Sequence, residues 1–143
     1  MVIILNNKKI SELTDKFDYI LIKGSKDVLV NDVVYDSRKA GSDNAFVCII
    51  GAVSDGHNYI KSALEGGCKV FVIQKDIDEL PELNDATDVT VIKTDNTRIA
   101  LACMSAGIFD YPAKELTTIG ITGTKGKTTT SFIIRDILKH TLR

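Results

Sequence analysis

Eight consecutive residues, Gly123-Thr124-Lys125-Gly126-Lys127-Thr128-Thr129-Thr130, combine the residue types that phosphate binding needs. Glycines let backbone N–H groups converge on phosphate oxygens, and a helix opening at the lysine adds the positive end of its dipole. Lys127 would set a compact positive charge on the β- and γ-phosphates of a nucleotide, and the Thr128 hydroxyl would complete a Mg²⁺ shell. The surroundings have the required order: an apolar, β-branched run over 116–122 predicts a strand, and the residues after the loop predict a helix to about His140. The spacing is the short GxxGKT, because Ile121 stands where the longer GxxxxGK[ST] form has its first glycine. The competing reading is an ordinary strand–helix turn whose lysine faces solvent. The threonine triplet and the helix favour a nucleotide, which makes Gly123, Thr124, Lys125, Gly126, Lys127, Thr128 and Thr129 the candidate nucleotide-phosphate contacts, with Thr128 directed at Mg²⁺.

A second group lies upstream. Ser37 carries a small hydroxyl able to bond a diphosphate oxygen, and Arg38 a fork of donors suited to phosphate. The turn over 51–54 follows an apolar run, at the end of a strand where parallel sheets bind ligands. Each has a structural alternative. Asp36-Ser37 could be a turn closing a strand, Arg38 could pair with Asp55 or Asp43, and Asp55-Gly56 is a common turn dipeptide. His57 reads as a capping or packing histidine and is given no chemistry.

These residues need elements to hold them. The 143 residues suffice for one compact domain and little more, with 44% hydrophobic and 26% charged residues, the balance of a soluble globular chain. No apolar run approaches the length that crosses a bilayer, and Asn6, Asn7, Lys8 and Lys9 interrupt the apolar start, so no membrane partner and a cytoplasmic location are expected. Eighteen Lys and Arg against 19 Asp and Glu leave a net charge of -1. No global field gathers nucleic acid, and any anion must be held by local donors. Cys48, Cys68 and Cys103 form no CxxC pair and read as buried free thiols.

Along the chain, 10–17 predicts a short helix and 19–23, 28–35 and 45–50 predict strands. A helix over 59–64 stops at Gly66-Gly67, a strand follows over 69–74, and 76–88, acidic and containing Pro81, is a surface connection with at most a helical turn. A strand over 89–93 leads to a helix over 97–109, capped by Asp95 or Asn96 and ended by Tyr111-Pro112, with Ile99, Ala102, Ala106 and Phe109 at helical spacing. Helix followed closely by strand implies βαβ units. The expected fold is therefore α/β, a small domain over 1–113 with a mostly parallel sheet flanked by helices, followed over 114–143 by the first strand, loop and helix of a truncated P-loop domain.

The run 119–130 resembles the ATP loop of the Mur ligases, and Tyr111-Pro112 and Leu116 match the approach to that loop in the tripeptide synthetases of the family. Asp36-Ser37-Arg38 looks like the DSR signature of their UDP-binding domain; 46–51 and Asp55-Gly56-His57 resemble the FVxxxG and DGH block; Gly66-Gly67-Cys68 matches the end of its helix. The resemblance covers roughly 28–140 in order. It implies contacts of Tyr35, Ser37, Arg38, Ala52, Val53 and Ser54 with the UDP part of a UDP-N-acetylmuramoyl peptide. Two departures stand out: Lys125 replaces a frequent Asn, and Ala52 and Val53 replace residues that are often polar.

The resemblance further implies ATP-driven addition of a diamino acid, L-lysine or diaminopimelate, to UDP-N-acetylmuramoyl-L-alanyl-D-glutamate in peptidoglycan synthesis, through an acyl phosphate. The family's acidic Mg²⁺ ligands, carbamylated lysine and amino-acid-selecting domain lie downstream, and after Lys127 this sequence offers only Asp136. The 143-residue chain is accordingly expected to be inactive alone and to hold no catalytic residue of its own. Residues 116–143 are expected to be disordered, to pack on the first domain, or to self-associate through an open strand edge. Alternatives are the D-alanyl-D-alanine-adding ligase of the family, a non-catalytic UDP-sugar-binding module, and a small unrelated P-loop NTPase.

Overall fold

The computed structural model describes residues 7–141, and its contacts divide the chain into two units that part between Pro112 and Ala113. In the first unit a short antiparallel pair, β1 (Lys8–Lys9) and β3 (Leu29–Val30), stands beside a five-stranded sheet. That sheet comprises β2 (Ile20–Lys23), β4 (Asp32–Val34), β5 (Asn44–Val47), β6 (Val70–Ile73) and β7 (Thr90–Lys93), in the order β2-β7-β6-β5-β4. Strands β4 to β7 are parallel neighbours, and β2 closes one edge antiparallel to β7. The mostly parallel sheet flanked by helices is the fold the sequence predicts. The predicted strand over 28–35 is broken in two, with Asn31 between the pieces bonding to Asp43 instead.

Period-two alternation divides the core between the two faces of the sheet. Phe46, Phe71, Ile73 and Val91 point to one face, where α2 (Ile60–Glu65) and α3 (Pro81–Asp85) bring Ile60, Ala63 and Leu83. Ala45, Val47, Val70, Val72 and Ile92 point to the other, covered by α1 (Ile10–Leu13) and α4 (Thr97–Ile108). Burying both faces explains why β5 and β6 read as unbroken apolar runs. Helix α2 ends at Gly66-Gly67 as predicted, Gly67 taking φ +90° in the left-handed region.

Helix α4 starts at the expected cap, and Asn96 rather than Asp95 supplies it: Oδ1 accepts from Arg98 N at 3.1 Å and Ile99 N at 3.2 Å. Its buried face is Ala100, Met104, Gly107 and Ile108, while Ile99 and Phe109 are half exposed. The apolar spacing from Ile99 to Phe109 thus marks a stripe one residue out of phase with the packed face. Small Ala and Gly residues carry close approach to the sheet and α1, which hydrophobicity alone underweights. The helix ends on two left-handed residues before Pro112, Asp110 at φ 56° and Tyr111 at φ 57°.

Among its described residues the second unit holds one regular element beyond a short 3₁₀ turn at Pro112–Lys114, namely α5 (Lys127–Thr141). The predicted strand over 116–122 does not form: among the described residues no neighbour offers it a ladder of hydrogen bonds, and an unpaired strand has no stabilising partner. Helix α5 leaves Phe132, Ile133, Ile137 and Leu138 partly exposed.

Candidate functional site

Four segments of the first unit leave the sheet at one end, the carboxyl ends of its parallel strands. They are 35–38 after β4, 48–56 after β5, 74–75 after β6 and 94–96 after β7. Parallel sheets place ligands there because loops, and not continuing backbone ladders, form that surface.

After β4 the chain turns into a 3₁₀ segment, Ser37–Lys39, with Asp36 as its cap. The Asp36 carboxylate accepts from Arg38 N at 3.1 Å and from the Arg38 guanidinium, Nε at 2.9 Å and Nη2 at 2.6 Å. The guanidinium bonds, followed by the backbone N–H, hold the Asp36 carboxyl down at about 2. Arg38 therefore pairs with Asp36 and with neither Asp55 nor Asp43. Capping geometry already aims the Asp36 oxygens at the residue two places on, whereas Asp55 is occupied elsewhere. The fork uses Nε and Nη2, and the Nη1 donors lie outside it.

After β5, Ile50 and Asp55 form a bridge that pinches off 51–54 as a tight turn, closed by Gly51 N donating to Ser54 O at 2.8 Å. A Cβ on Gly51 would sit 2.9 Å from Ser54 O, so glycine fits this closure. Asp55 anchors the turn. Its Oδ1 accepts from His57 N at 2.9 Å and meets His57 Nδ1 at 2.6 Å, while its Oδ2 pairs with Lys75 at 2.8 Å. His57 is buried, and its Nε2 accepts from Gln74 N at 3.1 Å, which assigns the ring proton to Nδ1. Burial is the largest single influence on Asp55 and opposes its charge. The Lys75 and His57 donors together outweigh it and hold the carboxyl at about 2. Arg98 at the start of α4 ties the turn a second time, donating to Ile50 O at 3.0 Å. His57 is the packing histidine that its sequence context suggests.

Tyr35, Asp36, Ser37 and Arg38 line a cavity of about 560 Å³ together with Tyr59 and Ser62. Ala52, Val53 and Ser54 do not line it, and Val53 is fully exposed at the tip of its turn. Ser54 reaches the cavity indirectly, its hydroxyl bonding Tyr59 Oη at 3.2 Å. Tyr59 and Ser62 were not anticipated. They sit three apart where the 3₁₀ turn Gly56–Tyr59 passes into α2, a spacing that puts both on one face, but nothing within that segment signals that the face meets the turn after β4.

In the second unit the glycine loop leads into the N-terminus of α5. Gly123 and Gly126 take φ +149° and +79°, values that favour glycine, and all residues from 123 to 129 are exposed. Lys127 Nζ folds back over the loop onto Gly123 O at 2.7 Å. Thr130 N closes the first helical turn on Gly126 O at 2.9 Å. Main-chain donors, an ammonium and the Thr128 hydroxyl thus share the opening of a 15-residue helix. Asp136, the carboxylate after Lys127, is paired with Arg135 at 2.9 Å and lies about two and a half helical turns further along. Among the described residues no cluster of His, Cys, Asp and Glu could hold a metal ion.

Of the three thiols, Cys48 and Cys68 are buried and Cys103 is only partly so, which corrects the expectation of three buried cysteines. No helix among the described residues is long and apolar enough to cross a membrane.

Comparison with known proteins decides the family. The family described as "Mur ligase family, catalytic domain" matches residues 30–108, more than half of the chain and wholly inside the first unit. This chain belongs to the Mur ligase family. Among curated relatives, the UDP-N-acetylmuramoyl-L-alanyl-D-glutamate--2,6-diaminopimelate ligase of Clostridium perfringens is 42% identical over 91% of the chain and 26% of its own length. The enzyme of that name from Clostridium botulinum is 43% identical over 85% of the chain and 24% of its own. The chain thus spans about a quarter of the length of the curated relatives it matches. Among solved structures, a UDP-N-acetylmuramoylalanyl-D-glutamyl-2,6-diaminopimelate--D-alanyl-D-alanyl ligase from Acinetobacter baumannii superimposes with a TM-score of 0.72 at 25% identity, covering 99% of this chain and 30% of that one.

Proposed function

We propose that this Mur ligase chain is the substrate- and nucleotide-holding front portion of an enzyme that adds diaminopimelate to UDP-N-acetylmuramoyl-L-alanyl-D-glutamate in cytoplasmic peptidoglycan synthesis. The observation that carries the reading is the cavity of Tyr35, Ser37, Arg38 and Tyr59 at the carboxyl end of the sheet, in a chain 42% identical to a ligase of that name. Ser37 and the Arg38 Nη1 donors take the diphosphate, and the turn over 51–54 flanks the uridine. The 1–113 portion is the UDP-muramoyl-peptide domain and 114–143 opens the ATP domain.

The loop fits the phosphates of ATP: Lys127 leaves Gly123 O for the β- and γ-phosphates, and Gly123 to Thr129 supply amides and hydroxyls. Thr128 would give Mg²⁺ one ligand, and among the described residues no cluster of His, Cys, Asp and Glu stands ready to complete its shell. When bound, ATP supplies the phosphoryl group that activates the substrate carboxylate. What this chain's residues do is bind and orient.

A second reading, the D-alanyl-D-alanine-adding ligase, is favoured by the Acinetobacter baumannii structure but at lower identity, 25% against 42%. Calorimetric titration with UDP-N-acetylmuramoyl-L-alanyl-D-glutamate, with the corresponding UDP-tripeptide, and with MgATP separates them. The first reading expects UDP-dipeptide binding that Ser37→Ala weakens about tenfold, the loss of one charge-assisted hydrogen bond. Preference for the tripeptide compound favours the second, and binding of neither removes both.

A further inference from the structure

The two halves of the nucleotide site do not share a wall. Residues 35–38 line the cavity and residues 52–54 do not, although both belong to the surface at the carboxyl end of the sheet. Tyr59 joins them. It lines the cavity, and its hydroxyl is held by Ser54 across 3.2 Å. With the hydroxyl engaged, what Tyr59 offers a ligand is its ring; the residue as a whole is 47% exposed although it sits beside the buried Ile60 and Ala63.

We propose that Tyr59 is the base-recognition residue of the site: its ring stacks on the uracil of the UDP substrate, and its bond to Ser54 draws the turn over 51–54 to the base edge. This rests on the UDP reading above and sharpens it. A half-exposed aromatic in a cavity wall gains most from a flat, weakly hydrated partner, and a pyrimidine is one. Of the other lining residues, Ser37 with its hydroxyl and Arg38 beside the ionised Asp36 suit a diphosphate and not a base. Ala52 and Val53 bring no polar side chains to the turn, so the base edge is met by backbone groups and by Ser54. Ring contact then has to carry much of the affinity that side-chain hydrogen bonds do not.

The chain contains no tryptophan. Tyr59→Trp therefore installs a single reporter in the cavity wall while keeping an aromatic ring there. The full chain is titrated with UDP and with ribose 5-diphosphate, which lacks the base. Expected are saturable quenching of the Tyr59→Trp emission by UDP and none by ribose 5-diphosphate. Calorimetry should show an approximately tenfold loss of UDP affinity in Tyr59→Leu, a smaller loss in Tyr59→Phe, and unchanged ribose 5-diphosphate affinity in all three. If Ser37→Ala weakens UDP binding while Tyr59→Leu binds UDP as the unaltered chain does, the stacking role is overturned and the UDP site stands. Equal losses for UDP and ribose 5-diphosphate in Tyr59→Leu overturn base recognition as well. Failure of the unaltered chain to bind UDP overturns both.

Discussion

Replacing Asp55 tests whether the Asp-Gly-His segment is a structural anchor. In Asp55→Ala three contributions are lost, the first being the Lys75 pair at 2.8 Å, worth about 0–1 kcal/mol. The cap on the 3₁₀ turn Gly56–Tyr59 goes, worth about 0.5–2 kcal/mol, and the buried His57 Nδ1–H loses its acceptor, worth about 1–3 kcal/mol. The sum, about 1.5–6 kcal/mol, corresponds to a fall in Tm of roughly 5–20 °C for a chain of this size. Asp55→Asn keeps the Oδ1 acceptor for both His57 groups and loses mainly the Lys75 pair, whose side chains are 34% and 23% exposed. Its cost should be about 1 kcal/mol after screening. The two variants also differ in pH dependence. The Asp55 carboxyl is depressed from 3.8 to about 2 on folding, so its ionic contribution is complete above its ordinary value and is lost as pH falls towards 2. Urea midpoints followed by circular dichroism should show the gap between native chain and Asp55→Asn at pH 6 narrowing between pH 4 and pH 2. A gap that stays constant over that range, or an alanine variant no weaker than the asparagine one, would refute the anchor.

Lys23 Nζ donates to three carbonyls at the end of α3, Leu83 O at 3.0 Å, Asn84 O at 2.8 Å and Ala86 O at 2.6 Å. Lys23→Met keeps the stem but removes this cap, and should lower stability by about 1–2 kcal/mol and speed hydrogen exchange in Pro81–Asp85 before elsewhere. Gly24 has φ +85°, and a Cβ there would lie 2.4 Å from Thr90 Oγ1 and 2.6 Å from Thr90 Cα, so Gly24→Ala should cost about 2–4 kcal/mol by thermal unfolding. Burial pushes the Cys48 and Cys68 thiols up, whereas Cys103 is partly exposed. Iodoacetamide at neutral pH followed by mass spectrometry should therefore label Cys103 first and the other two only on unfolding.

Much of the first unit was legible because its strands are apolar on both faces. The runs around Phe46, Phe71 and Val91 have no other comfortable environment than a covered parallel sheet, and glycines, Asn96 and Pro112 punctuate them in the expected places. Three features were not legible, each for a physical reason. The packed face of α4 is built on Ala100 and Gly107, whose smallness permits close approach but gives little hydrophobic contrast against Ile99 and Phe109. The segment 116–122 has the composition of a strand, yet strand formation depends on a partner that composition does not reveal. Tyr59 and Ser62 enter the candidate site only because the parallel pairing of β4 with β5 brings the start of α2 beside the turn that follows β4. Pattern along one segment cannot report a neighbour supplied by another.

The residues that look most reactive in the first unit are largely occupied with one another. Asp55 holds His57 and Lys75, Asp36 holds Arg38, and Arg98 holds Ile50, so each charge serves to fix a loop at the end of the sheet. This arrangement leaves the cavity itself nearly neutral, since the ionised Asp36 offsets Arg38 where the diphosphate is proposed to lie. On the proposed reading, an anion entering there would find no large favourable field at long range and would gain its binding energy at contact, from the Ser37 hydroxyl, from the remaining guanidinium N–H groups and from an aromatic wall. Such a site discriminates by shape and by directional hydrogen bonds. A simple basic patch would accept any polyphosphate, including the ATP that the loop in the second unit is proposed to bind. On the proposed reading, near-neutrality at the cavity of the first unit and the exposed Lys125 and Lys127 of the second unit's loop each suit a different phosphate-bearing ligand.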